Sequence, residues 1–170
     1  MRSIIPYIKA TENVSNADVL YHGSHTKLDS IDPHVSTHGI KVVYAAADYN
    51  FALCYAGNQW NDYQISQTMY NGKLVLTEIQ KGAFNRIFNT SGYVYTLQKT
   101  GFKQFNRHEY VNHTKVYPLE CEVIDNVLDT IKKSDIELYY YPSLPPFIKS
   151  REEYIKAKDE LFRKLRGGKQ

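Results

Sequence analysis

The chain has 170 residues, of which 42% are hydrophobic and 23% charged, and a formal net charge of +3. That balance excludes a largely disordered chain and does not announce a nucleic-acid binder, and the length favours one domain. No apolar run approaches the roughly 18 residues that cross a bilayer, so no membrane partner is expected.

The opening MRSIIPYIKATENV breaks its apolar stretch with Pro6 and Lys9, so it does not read as a signal peptide. Residues 18–21 (DVLY) read as a strand running into the turn His22-Gly23-Ser24. Residues 40–46 (IKVVYAA) form a second, β-branched strand. Asp48 then caps a helix on which Phe51, Ala52, Tyr55 and Ala56 recur at helical spacing until Gly57 ends it. The polar segment 58–72 reads as a loop. Strands follow at 73–79, 92–97, 108–111 and 115–124, a short helix opens at Asp125 or Asn126, and 136–141 suggests one more strand. Pro142, Pro145 and Pro146 make a rigid break.

Ser150 and Glu153 form an S-x-x-E capping box for a last helix. Tyr154, Ala157, Leu161 and Leu165 give it an apolar stripe, and Gly167-Gly168 end it. Residues 149–170 hold eight Lys or Arg against four Asp or Glu, so the basic excess of the chain lies there. This reads as a solvated face whose basic last turn suits the helix dipole, with recruitment of an acidic partner or nucleic acid as the functional alternative. Neutralising Arg163, Lys164 and Arg166 separates the two. The fold class is α+β: mostly strands, one helix between the second and third, and helices gathered at the end.

Cys54 and Cys121 match no disulfide or metal spacing and read as reduced core residues, which suits a cytoplasmic setting. His34 and His38 have the spacing of a helical zinc pair, but Pro33 and Gly39 flank them and no third ligand completes a site, so no metal is expected.

Three segments carry chemistry. In Tyr21-His22-Gly23-Ser24, the missing Cβ of Gly23 lets a ligand approach the backbone. The N–H and C=O of Gly23 suit a planar carboxamide, with the Ser24 hydroxyl as a third partner and His22 donating to a sugar hydroxyl. Tyr44 and Tyr55 lie 11 residues apart, one on a strand and one on the helix after it. Their rings can wall a slot for a flat aromatic ring, or pack as ordinary core. In Arg107-His108-Glu109-Tyr110-Val111, a carboxylate sits in a strand-like run. Pointed into a cleft, it stabilises an oxocarbenium-like transition state. Glu120 and Glu122 are rival carboxylates, ranked below Glu109.

Taken in order, YHGS, the tyrosine pair and the strand-borne E-Y-V resemble the ADP-ribosyltransferase superfamily. The branch is the histidine-tyrosine-glutamate one of diphtheria toxin and the poly(ADP-ribose) polymerases. The resemblance covers residues 18–124 and implies a split antiparallel β-sheet fold with NAD, as substrate, in the cleft. It implies one domain over residues 1–170, with a core at 18–124 and a C-terminal helical extension at 126–170. By the same resemblance His22 bonds the nicotinamide ribose, Gly23 holds the amide, Tyr44 and Tyr55 sandwich the ring, and Glu109 is the catalytic carboxylate. Two departures are visible. Ala52 stands where the polymerases have a serine, and Arg107 stands where arginine-modifying toxins have Gln or Glu.

The expected activity is mono-ADP-ribosyl transfer to a macromolecular acceptor, protein or nucleic acid, in the manner of a toxin, effector or modifier. An NAD glycohydrolase and a catalytically lapsed NAD-binding module are the alternatives.

Overall fold

The structure is a computed structural model that describes residues 18–35 and 39–167. The N-terminal segment and His38 therefore lie outside the described residues. Two compact units are present, each built from two stretches of chain: residues up to Asn58 with Phe88–Ser134, and Gln59–Ile87 with the residues from Asp135 onward.

The first unit carries a seven-stranded antiparallel sheet. Its strands are β1 (Val19–Ser24), β2 (His34–Val35), β3 (Lys41–Ala46), β6 (Gly92–Gln98), β7 (Lys103–Gln104), β8 (Glu109–Asn112) and β9 (Glu120–Ile124). The spatial order is β7-β8-β3-β1-β6-β9, with β2 pairing β3 beside this path. One face is closed by Leu20, Val43, Ala45, Tyr95, Leu97 and Cys121, all nearly inaccessible and alternating with residues of the other face. Both cysteines are buried free thiols. Helix α1 (Tyr49–Leu53) follows β3, and Asp48 caps it as expected by accepting from the Asn50 N–H at 2.8 Å. It is shorter than its sequence period suggests. The chain leaves the helix at Cys54, and i→i−3 bonds from Tyr55 and Ala56 tighten the turn that follows. Tyr55 is therefore beyond the helix. Helix α3 (Val127–Lys133) is capped by Asn126, which accepts from the Asp129 N–H at 3.0 Å.

In the second unit β4 (Ile65–Tyr70), β5 (Lys73–Glu78) and β10 (Glu137–Tyr139) form a three-stranded sheet in the order β10-β5-β4. The expected loop at 58–72 thus contains a strand. Its ISQTMY sequence has too few apolar positions to show a period, yet the Asn71-Gly72 turn, both residues at positive φ (51° and 78°), closes a tight hairpin with β5. β10 pairs with β5 in parallel. Helix α2 (Ala83–Phe88) was not expected. Its Phe84 N–H is held at 2.9 Å by the buried Glu78 carboxylate, which also accepts from the Tyr141 N–H at 2.9 Å. A cavity of about 280 Å³ is lined by Tyr70, Lys73, Glu137, Tyr139 and Phe147.

Helix α4 (Arg151–Gly167) begins where the capping box requires, with Ser150 Oγ accepting from the Glu153 N–H at 3.1 Å. Its packed side is not the expected one. Tyr154, Ile155, Lys158 and Phe162 are half-buried, whereas Ala157, Leu161 and Leu165 are exposed. The contacts that set this rotation come from Asp62 and Tyr63: Lys158 Nζ lies 3.6 Å from Asp62, Tyr63 donates to Asp159 at 2.6 Å, and the Phe162 and Tyr63 rings are 5.9 Å apart. No helix among the described residues is long and apolar enough to cross a membrane.

Candidate active site

The cross-strand register of the large sheet brings the sequence-predicted residues onto neighbouring positions. Ala46 of β3 lies opposite Glu109 of β8 on one side and Tyr21 of β1 on the other. The row continues through Thr96 of β6 to Glu120 of β9. Residues directly opposite in antiparallel pairs share a face. With the alternation of each strand, Tyr44, Gly23 and Glu122 join this face, whereas His22 and Ser24 alternate with it.

The sheet is interrupted at this row. β1 pairs with β6 along all six of its residues but with β3 at the single position Tyr21↔Ala46. Beyond it, His22 and Gly23 would fall opposite Ala45 and Tyr44, and the strands part instead. The His22 side chain spans the opening, with Nδ1 2.6 Å from the Tyr44 carbonyl oxygen. A carbonyl only accepts, so Nδ1 carries the proton. Burial lowers the His22 pKa, the Tyr44 bond opposes that, and His34 adds to the lowering. The ring is thus neutral at pH 7, and its remaining nitrogen, Nε2, is an acceptor. With this tautomer, a hydroxyl approaching Nε2 would donate to His22.

The missing Cβ of Gly23 also makes room for the chain packed on β1. A Cβ at this position would lie 2.1 Å from the Ala52 carbonyl oxygen and 2.9 Å from the Ala56 nitrogen. Gly92, on the neighbouring strand two residues from Val94, which faces Gly23, would put a Cβ 1.9 Å from the Ala56 carbonyl oxygen. The two glycines make a flat track on which the end of α1 and the turn after it rest. Ala52 is buried, with its carbonyl on that track. The Ser24 hydroxyl is also used locally. It donates to the Thr26 carbonyl at 2.8 Å and accepts from the Thr26 N–H at 3.1 Å.

Each proposed slot tyrosine has an aromatic neighbour. The Tyr44 ring meets Phe105 edge-on, with centroids 5.7 Å apart. The Tyr55 ring, 40% exposed, is tilted on Phe51 at 5.8 Å, and Phe51 stacks on His108 at 5.7 Å. Phe105 and His108 lie within four residues of Glu109, so one loop supplies a ring beside Tyr44 and another beside Phe51, the neighbour of Tyr55. Phe105 was not singled out in the sequence, because its neighbours form no periodic pattern.

Glu109 opens β8 and is half-buried. Its Oε1 accepts from Asn106 Nδ2 at 3.0 Å. The rival carboxylates are engaged by hydroxyls: Glu120 accepts from Thr96 at 2.8 Å, and Glu122 accepts from Tyr49. Tyr49 in turn meets the Tyr21 ring edge-on at 5.6 Å. Burial, then Glu120 and Glu122, raises the Tyr21 pKa. Glu120 Oε2 is buried without a hydrogen-bond partner. Among the described residues no group of three or more His, Cys, Asp or Glu is arranged to hold a metal ion.

The site defines an α+β protein whose antiparallel sheet opens beside a carboxylate and a row of aromatic rings. Residues 52–153 match a family of unknown function, DUF6886, and the chain belongs to that family. The matched stretch includes Tyr55 and Glu109 but not His22, Gly23, Ser24 or Tyr44. No curated protein and no solved structure matches the chain.

Proposed function

We propose that the chain is an NAD-dependent mono-ADP-ribosyltransferase that transfers ADP-ribose to a macromolecular acceptor. The observation that carries this reading is the shared face of Gly23, Tyr44 and Glu109, next to the point where β1 and β3 part. A ligand held there would lie over the backbone of β1 and β3 on the side of the Glu109 carboxylate.

In this mechanism the Gly23 backbone holds the carboxamide and Tyr44 and Tyr55 flank the nicotinamide ring. His22 accepts a hydrogen bond from a ribose hydroxyl through Nε2, which fixes the sugar without needing a charged imidazole. The bond between the ribose carbon and the pyridine nitrogen breaks, and its electron pair leaves on that nitrogen, so nicotinamide departs neutral. Positive charge grows on the sugar, and the Glu109 carboxylate stabilises it. The acceptor nucleophile adds to the same carbon and releases its proton to water.

The test is NAD turnover and binding by wild type and Glu109→Gln. Nicotinamide release is expected to fall at least about 100-fold, the scale of losing one electrostatic group at a transition state, with NAD affinity within about twofold. Equal turnover in both overturns the assignment. With labelled NAD, label on a macromolecule supports transfer, free ADP-ribose marks a glycohydrolase, and bound but unchanged NAD marks a lapsed site.

A further inference from the structure

We infer that Asn106 is a positioning residue for Glu109, an inference that rests on the catalytic reading of that carboxylate. Both ends of its amide are used. Oδ1 accepts from the His108 N–H at 2.9 Å and from the Glu109 N–H at 2.8 Å, which folds the chain back just before β8. Nδ2 donates to Glu109 Oε1 at 3.0 Å. The backbone closes the same turn, with the Phe105 and Asn106 N–H groups reaching the Glu109 carbonyl at 2.9 and 3.3 Å.

The two contacts through Oδ1 decide which end of the amide faces the carboxylate. N–H groups demand an acceptor, so the oxygen is committed to the backbone and the NH₂ is left for Glu109. A glutamate side chain has three rotatable bonds. Tying one oxygen to a group anchored on the same turn restricts them and leaves Oε2 as the oxygen without a protein partner among the described residues. That free oxygen is the one available to face a sugar carbon. The Asn106–Glu109 bond is exposed to solvent, so its contribution to stability is small and its effect is on orientation.

Two variants separate the roles of the amide. Asn106→Asp keeps the oxygen that caps the His108 and Glu109 N–H groups and removes the donor to the carboxylate. Asn106→Ser keeps an acceptor without adding charge. Both are expected to fold with wild-type thermal midpoints, to keep KM for NAD within about twofold, and to lose about ten- to hundredfold in kcat, the scale of a misplaced reacting group. Wild-type kcat in both folded variants overturns the inference, and so does a loss of folding that tracks the loss of activity.

A readout independent of catalysis keeps this distinct from the function itself. In the NMR spectrum of the unliganded protein, the Asn106 side-chain NH₂ protons are expected to shift on Glu109→Gln. If they do shift while wild type cleaves no NAD, the functional reading fails and the positioning contact stands. If they do not move, the contact is absent whatever the activity.

Discussion

Replacing Gly23 by alanine tests the packing on which the site stands. The new Cβ would sit 2.1 Å from the Ala52 carbonyl oxygen, where ordinary contact begins at 3.4 Å, so the backbone of α1 would have to retreat by about 1.3 Å. The Ala56 nitrogen and the Tyr55 carbonyl carbon, both at 2.9 Å, block sideways relief. All three obstacles are backbone atoms, which cannot rotate away as a flexible side chain would. Overpacking a well-filled site costs about 1–3 kcal/mol, and this geometry belongs at the upper end. A loss of about 3 kcal/mol corresponds to a fall in Tm of about 6–12 °C for a protein of this size. Urea and thermal unfolding of wild type, Gly23→Ala, Gly92→Ala and Gly72→Ala provide the assay. Gly92→Ala should match Gly23→Ala, since its Cβ falls 1.9 Å from the Ala56 carbonyl oxygen. Gly72→Ala meets nothing within 4 Å and carries only the cost of its positive φ of 78°, about 1–2 kcal/mol. A Gly23→Ala midpoint equal to wild type, or a smaller loss than Gly72→Ala, refutes the close contact between β1 and α1.

Two further perturbations probe polar groups. Glu78→Gln turns one oxygen that now accepts a backbone N–H into an NH₂ donor facing it, at the Phe84 or the Tyr141 nitrogen. Glu78 is only 3% exposed, so water cannot repair the mismatch, and a loss of about 1–3 kcal/mol in urea unfolding is expected. Stability should also depend on pH through His22, whose pKa lies below its ordinary 6.5 in the folded chain, chiefly from burial. Between the folded and unfolded values the unfolded state binds more protons, so stability rises with pH across that window. It is unaffected by this group above the unfolded value and declines as the pH falls from 6.5 through the folded value. Unfolding curves at pH 7.5 and 5.5 should therefore differ more for wild type than for His22→Asn, and equal differences would remove His22 as the cause.

The elements legible in the sequence are those fixed by neighbours within a turn of chain. Asp48 and Asn126 cap helices because a short acceptor side chain reaches an N–H two or three residues on. The β-branched runs at β3 and β5 extend because their side chains suit a pleated, buried surface. The candidate residues were legible as types at spacings, with Tyr44 and Glu109 on recognisable strands. His22, Gly23 and Ser24 read as a turn but are strand residues, because β6 pairs with β1 as far as Ser24. What required the tertiary structure was every decision taken between distant segments. Ser66 and Thr68 sit in a strand because β5 supplies their partners, and Asp62 and Tyr63 choose which side of α4 is covered. The need for glycine at 23 comes from a helix backbone about thirty residues later, and the bond that fixes the His22 tautomer comes from the carbonyl of Tyr44. A local pattern records what a residue prefers. The register of β1, β3 and β8, and the gap after Tyr21↔Ala46, depend on how those strands meet, which no single stretch of sequence encodes.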